Sequence, residues 1–208
     1  DNELTPTKIP TAARQKFYAT LEAFYLAEGK EGHLDAFWKV VDALDELEEA
    51  GHPLTFANLC QDEEAWDLLQ QCCQRVAPNE SFIDFFWTVR YVHLPLWIAM
   101  RSRNDLPPAK MYHSVSTGYA GFLAAIAARK RKAPYLITEH GIYTKERIAE
   151  ISQADWIYDP PSRYFDINEK MSPFKQLWID LFTFIGEVGY AGAHHVVALY
   201  EGIHKLQI

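Results

Sequence analysis

Only three cysteines occur in the 208 residues, and none stands at a useful spacing from another. Cys60 is isolated, and Cys72 and Cys73 are adjacent, so neither a C-x-x-C pair nor a mixed Cys/His ligand pattern exists. That excludes a disulfide framework and fits a reducing, cytoplasmic setting. Positive charge is also short: 20 Lys and Arg against 28 Asp and Glu leave a net charge of -8 and a pI near 5.5. Such a chain lacks the basic face that displaces counterions from nucleic acid, so nucleic acid is not an expected partner. No apolar stretch approaches the ~20 residues that span a bilayer. The opening DNELTPTKIP has no basic region ahead of an apolar one, so no signal peptide is expected. His33, His52, His93, His194, His195 and His204 show no H-E-x-x-H or related spacing, so neither a metal nor another cofactor is expected. A G-x-S-x-G elbow is missing too, which weakens a hydrolase reading.

What is present is an ordinary core composition, 49% hydrophobic and 23% charged, in a length that suits one large domain or a domain with an appendage. The first half, residues 1–108, reads as helical segments. Apolar residues recur at helical spacing from Ala12 to Ala27. Leu34, Phe37, Val40, Val41, Leu44 and Leu47 form one stripe, ended by Gly51-His52-Pro53. LTFANLC and EEAWDLLQQCCQRV continue as short helices until Pro78-Asn79. SFIDFFWTVRYVHLPLWIAM is strongly aromatic, with Pro95 expected to kink or divide it. Its stripe of Phe82, Phe85, Phe86, Trp87 and Tyr91 reads as core, laid against the sheet of the second half, in preference to a sugar platform.

Residues 109–208 change character. AKMYHSVS reads as a strand after Pro107-Pro108. TGYAGFLAAIAARKRK reads as a helix capped by Ser116 or Thr117, and APYLITEHG as a strand. Strand, helix, strand without room for a hairpin makes a parallel pair with a right-handed crossover. A long loop, the helix PFKQLWIDLFTFIGEVGYAGA and the strand HHVVALY follow, giving β-α-β-α-β. The expected class is α/β with a short parallel sheet, in one domain, and three strands are few enough to suggest a fragment. The basic run Arg129-Lys130-Arg131-Lys132 reads as cations at a helix C-terminus, ahead of a phosphate or membrane-surface patch.

The chemistry-bearing stretch is YLITEHGIYTKER, Tyr135 to Arg147. Ligands gather at the carboxyl ends of parallel strands, and Glu139, His140 and Gly141 lie at one. His140 there can hydrogen-bond a sugar hydroxyl or a phosphate, or move a proton; its bland alternative is an imidazole satisfied by backbone groups. Gly141 removes bulk beside it, Glu139 is a candidate to orient the ring, and Arg147 can clamp an anion. HSVSTGYAG supplies a second candidate. Helix N-terminal amides around Ser116, Thr117 and Gly118 suit phosphate or hydroxyl oxygens, although Gly118 and Gly121 equally permit close packing. The pattern is not G-x-G-x-x-G, so a dinucleotide fingerprint is not indicated.

YHSVSTGYAGFLAAIAARKRKAPYLITEHGIYTKERIAEI closely resembles the signature of PelF-type glycosyltransferases, retaining enzymes of glycosyltransferase family four in Pel exopolysaccharide assembly. The likeness extends through SFIDFFWTVRYVHLPLW and WIDLFTFIGEVGYAGAHHVVALYEGIHKLQI, although Ile203 stands where an asparagine is expected. The resemblance implies a GT-B architecture of two Rossmann-like domains, of which this chain would be part of the N-terminal one. It implies a UDP-sugar donor, a glycan acceptor and a cytoplasmic site, peripheral to the inner membrane through partners. On it, His140 matches a histidine facing the donor sugar. Thr117 and Gly118 match the turn lining the same cleft, and Glu139, Tyr143, Glu146 and Arg147 match the family string. With the nucleotide-binding half absent, the piece alone is expected to be inactive. The rival expectation is a noncatalytic module that docks on a membrane-bound Pel synthase complex.

Overall fold

The computed structural model describes residues 4–157 and 171–200. Part of the long loop expected between APYLITEHG and Pro173, together with Ile203 and His204, therefore lies outside the described residues. The chain divides into two compact units, residues 1–86 and 87–208, with the division inside one helix.

The first unit is helical, as its periodicity predicts: α1 (Thr11–Leu26), α2 (His33–Glu49), α3 (Phe56–Gln61), α4 (Glu63–Val76) and the start of α5 (Phe82–Ser102). On α2, Phe37, Val40, Val41 and Leu47 are buried, and the stripe faces α1. Thr55 caps α3 in a reciprocal box with Asn58, whose buried amide also holds Thr7 through bonds of 3.0 and 3.1 Å. The aromatic start of α5 meets α4: Trp66 lies edge-on to Phe82 at 5.2 Å and tilted against Phe86 at 5.8 Å.

The second unit carries β1 (Tyr112–Ser114), α6 (Gly118–Arg131), β2 (Tyr135–Glu139), α7 (Tyr143–Ser152), α8 (Pro173–Gly192) and β3 (His195–Ala198). The strands lie in the order β1-β2-β3 and all pair in parallel, with Ser114 beside Ile137 and Ile137 beside Val196. This is the α/β, helix-rich, Rossmann-like arrangement the strand and helix patterns predict. Two details differ. β1 is three residues long instead of the eight of AKMYHSVS, because Val115 and Ser116 already turn into α6. A separate helix, α7, stands between β2 and α8.

Alternation along β2 decides what each face does. Tyr135, Ile137 and Glu139 are buried, and α6 and α8 both pack on this strand. Leu136 and Thr138 point the other way and are half-buried, and His140 just beyond is exposed. The aromatics of α5 that the spacing reads as core divide between a buried and an exposed side. Phe85 is buried at 1% exposure, but Trp87 and Tyr91 are 45% and 58% exposed. They lie on the side of α5 opposite Phe85, Val92 and Ala99, which the three-and-four spacing puts on the buried face.

Candidate functional site

The carboxyl ends of β1 and β2 deliver two loops to one edge of the sheet: Val115–Gly118 after β1, and His140–Ile142 after β2. Two hydrogen bonds tie them together. The Thr117 backbone N–H donates to Glu139 Oε1 at 2.9 Å, and His140 Nδ1 lies 3.1 Å from the Val115 carbonyl. A carbonyl oxygen only accepts, so Nδ1 carries the proton and a neutral ring keeps its lone pair on Nε2. His140 is exposed, so that nitrogen is the free chemical handle of this edge. Of the candidate residues, it is the one whose placement suits contact with a substrate most directly.

Glu139 plays another part. It is 1% exposed and faces α6, because successive residues of an extended strand alternate between faces. Its carboxylate holds the β1–α6 turn, and the group that orients the His140 ring is the Val115 carbonyl, not Glu139. An acceptor oxygen at the first residues of a helix is favourably placed, because unpaired amides and the helix dipole both point there. Tyr135 continues the buried network: its hydroxyl lies 2.8 Å from Ser114 Oγ, and burial pushes its ionisation up to about 12.

The turn itself is closed by its own protein. Thr117 occupies the N-cap position of α6 without a side-chain capping bond, contrary to the expectation for Ser116 or Thr117. Its Oγ1 is buried without a hydrogen-bond partner, and its Cγ2 would lie 3.7 Å from a Cβ at Gly189 of α8. The Ser116 hydroxyl donates to the Thr117 carbonyl at 3.1 Å, and the Ser116 carbonyl accepts from Ser114 Oγ at 2.9 Å. Gly118 has φ +77°, and the Tyr143 ring lies on it so closely that a Cβ would meet Cε1 at 2.6 Å. Only glycine meets both conditions. At Gly121 the close neighbours are the Ser116 carbonyl and the Tyr135 hydroxyl. Close packing of the protein on itself therefore accounts for both glycines.

The second loop and α7 complete the edge. The Glu146 carboxylate lies against Gly141, filling the space that a side chain there would take. Tyr143 packs on Phe182 of α8 at 6.2 Å, with the Arg147 guanidinium 5.3 Å above its ring. Arg147 also pairs with Glu150 at 2.6 Å, so part of its capacity to clamp an anion is already engaged. The structure thus brings Ser116, Thr117, Gly118, Glu139, His140, Gly141, Tyr143 and Arg147 to one strand-end edge. Sequence reasoning did not mark Val115 or Phe182; Val115 acts through a carbonyl that every residue has, and Phe182 reads as one apolar residue among many on α8.

No curated protein and no solved structure matches the chain. Residues 2–208 match the model of a family described as a domain of unknown function, DUF3492, and the chain belongs to that family.

Proposed function

We propose that this chain is part of the N-terminal domain of a retaining, nucleotide-sugar-dependent glycosyltransferase of GT-B type, acting in Pel exopolysaccharide synthesis. The observation that carries the reading is His140: exposed at the carboxyl end of the central strand, with its ring held through Nδ1 and its Nε2 free. Domains of this family are found in glycosyltransferase-like proteins, which supports the reaction class. The chain's own resemblance, carried by TEHGIYTKER at Thr138–Arg147, supports the finer assignment.

In this reading a UDP-sugar is the donor and a growing glycan the acceptor. Through Nε2, His140 accepts a hydrogen bond from a donor-sugar hydroxyl and fixes the sugar for attack. The departing diphosphate is stabilised by positioned donors, and configuration at the anomeric carbon is kept. Glu139 and the Val115 carbonyl act through geometry, holding the two loops together. The test is His140→Ala in the full-length enzyme, assayed against a set of UDP-sugars. Turnover falls on the order of 10²-fold or more while the unfolding midpoint stays close to that of the parent. Near-normal turnover, or a protein that does not fold, returns His140 to a structural role.

A further inference from the structure

At the strand-end edge, a buried relay of hydroxyls stands one step behind His140. Ser114 Oγ donates to the Ser116 carbonyl at 2.9 Å, and Ser114 Oγ and the Tyr135 hydroxyl lie 2.8 Å apart. A serine has one hydroxyl hydrogen, and a carbonyl only accepts. The Ser114 hydrogen is therefore engaged by Ser116, and the Tyr135 hydroxyl is the donor to Ser114. Burial pushes the ionisation of this phenol up to about 12, so it keeps its hydrogen at neutral pH. The relay runs in one direction, from Tyr135 through Ser114 to the Ser116 carbonyl.

What the relay grips is a single peptide unit. The Ser116 carbonyl and the Thr117 N–H belong to the same planar amide. Its oxygen is held by Ser114 of β1, and its N–H donates to Glu139 Oε1 of β2 at 2.9 Å. A rigid plane fixed at both ends leaves little freedom to the peptide before it, which carries the Val115 carbonyl. His140 Nδ1 lies 3.1 Å from that carbonyl. Val115 is itself 60% exposed, so side-chain packing does little to place it, and its carbonyl is aimed by its anchored neighbours. Gly121 of α6 leaves room for the arrangement. A Cβ there would lie 3.0 Å from the Ser116 oxygen, 3.2 Å from the Tyr135 hydroxyl and 3.8 Å from Ser114 Oγ.

We propose that Tyr135, Ser114 and Gly121 are positioning residues for His140. Their buried relay aims the Val115 carbonyl, and that carbonyl selects the imidazole tautomer with its proton on Nδ1 and its lone pair on Nε2. An exposed imidazole without such a bond exchanges between its two tautomers and turns about its side-chain bonds. None of the three residues needs to touch a substrate to act in this way. That Nε2 meets a sugar hydroxyl rests on the glycosyltransferase reading; that the relay sets the tautomer does not.

The experiment is nitrogen NMR of the histidine rings of the 208-residue chain, in mildly alkaline buffer where an ordinary imidazole is neutral. The signals of His140 are those lost in His140→Ala. In the unaltered protein His140 should show a protonated Nδ1 and a bare Nε2. Tyr135→Phe deletes only the hydroxyl, and it should move His140 toward a mixture of tautomers. Ser114→Ala should move it further, because it also leaves the Ser116 carbonyl without its donor. Gly121→Ala should act in the same sense, through a Cβ pressed on the relay. Tyr18→Phe is the control: it removes another buried hydroxyl, bonded to the Asn58 carbonyl at 3.1 Å, and should lower stability without moving the His140 signals. In the full-length enzyme, Tyr135→Phe should lower turnover roughly tenfold or more. A proton on Nε2 of His140 in the unaltered protein overturns the proposal, whether or not any variant folds. So does an unchanged tautomer in folded Tyr135→Phe and Ser114→Ala. A tautomer shift with unchanged turnover upholds the positioning and counts against the glycosyltransferase reading.

Discussion

The backbone N–H of Thr117 donates to the buried carboxylate of Glu139 at 2.9 Å, across 22 residues of sequence. The bond joins the start of α6 to the end of the central strand, so the first amide of the turn is already occupied by an acceptor from the same chain. With Tyr143 lying on Gly118, the turn that sequence marks as an anion site is filled from inside. The chemistry of the edge passes to the residues that still face outward, His140 first among them.

Glu139→Ala should therefore destabilise the second unit. It removes a buried acceptor and leaves the Thr117 amide without its partner, a change that costs about 1–3 kcal/mol. Glu139→Gln keeps a carbonyl oxygen in the same place and should lose less. Urea unfolding of the three proteins, followed by circular dichroism, orders them. A midpoint for the Ala variant equal to that of the parent would show that the bond contributes nothing.

Gly118→Ala should be more harmful than an ordinary helix substitution, for two separable reasons. At φ +77° a Cβ is strained, by roughly 1–2 kcal/mol, and the same Cβ collides with the Tyr143 ring. Shortening the ring partner with Tyr143→Ala removes the collision but not the strain. The double variant should then be more stable than the two single losses added together predict, because residues in contact couple. Strict additivity would mean that the ring does not lie on Gly118 in solution.

How far the sequence was legible follows from such residues. Tyr135–Glu139 announced itself because a β-branched, apolar run between Pro134 and Gly141 leaves little choice but a buried strand. α6 and α8 were legible from small and apolar residues between clear stops. The role of Glu139 was not, because it depends on an amide 22 positions away that only the parallel crossover brings near. Trp87 and Tyr91 misled for a different reason. α5 is apolar around most of its circumference, so helical spacing cannot say which arc faces the core, and reading the whole stripe as core by that spacing turns Trp87 and Tyr91 inward. α7 was legible only in part: Lys145, Glu146 and Arg147 read as a surface helix, but the segment around them does not separate itself from the loop before α8.

Free phosphate should not stabilise the protein through the turn at Ser116–Gly118. The Thr117 amide is engaged by Glu139 and Gly118 is covered by Tyr143, so an incoming anion would have to displace both. A uridine nucleotide at micromolar concentration should likewise give no heat of binding with this chain. Calorimetry with inorganic phosphate and with UDP checks both statements. A clear binding heat from either that disappears in the Gly118→Ala variant would place an anion at the turn after all.

His93 should make the second unit acid-sensitive. Its Nδ1 lies 2.8 Å from the Val89 carbonyl, and burial pushes the imidazole below its ordinary value, outweighing the opposing effect of that bond. The folded state therefore holds the ring neutral where the unfolded chain, titrating near 6.5, begins to take up a proton. Unfolded chains then bind more protons than folded ones, so stability is full above that value and is lost as pH falls below it. The slope for one proton is at most about 1.4 kcal/mol per pH unit. Asp180 and Glu187 act in the opposite sense, since burial raises both carboxyls, and they offset part of the loss as pH falls. His33 on α2 shifts in the same direction as His93 and adds to the effect, but it belongs to the first unit. Urea midpoints measured from neutral pH down toward the carboxylate range should fall for the parent and fall less for His93→Leu. The same slope in both proteins would mean that His93 is not buried as a neutral ring.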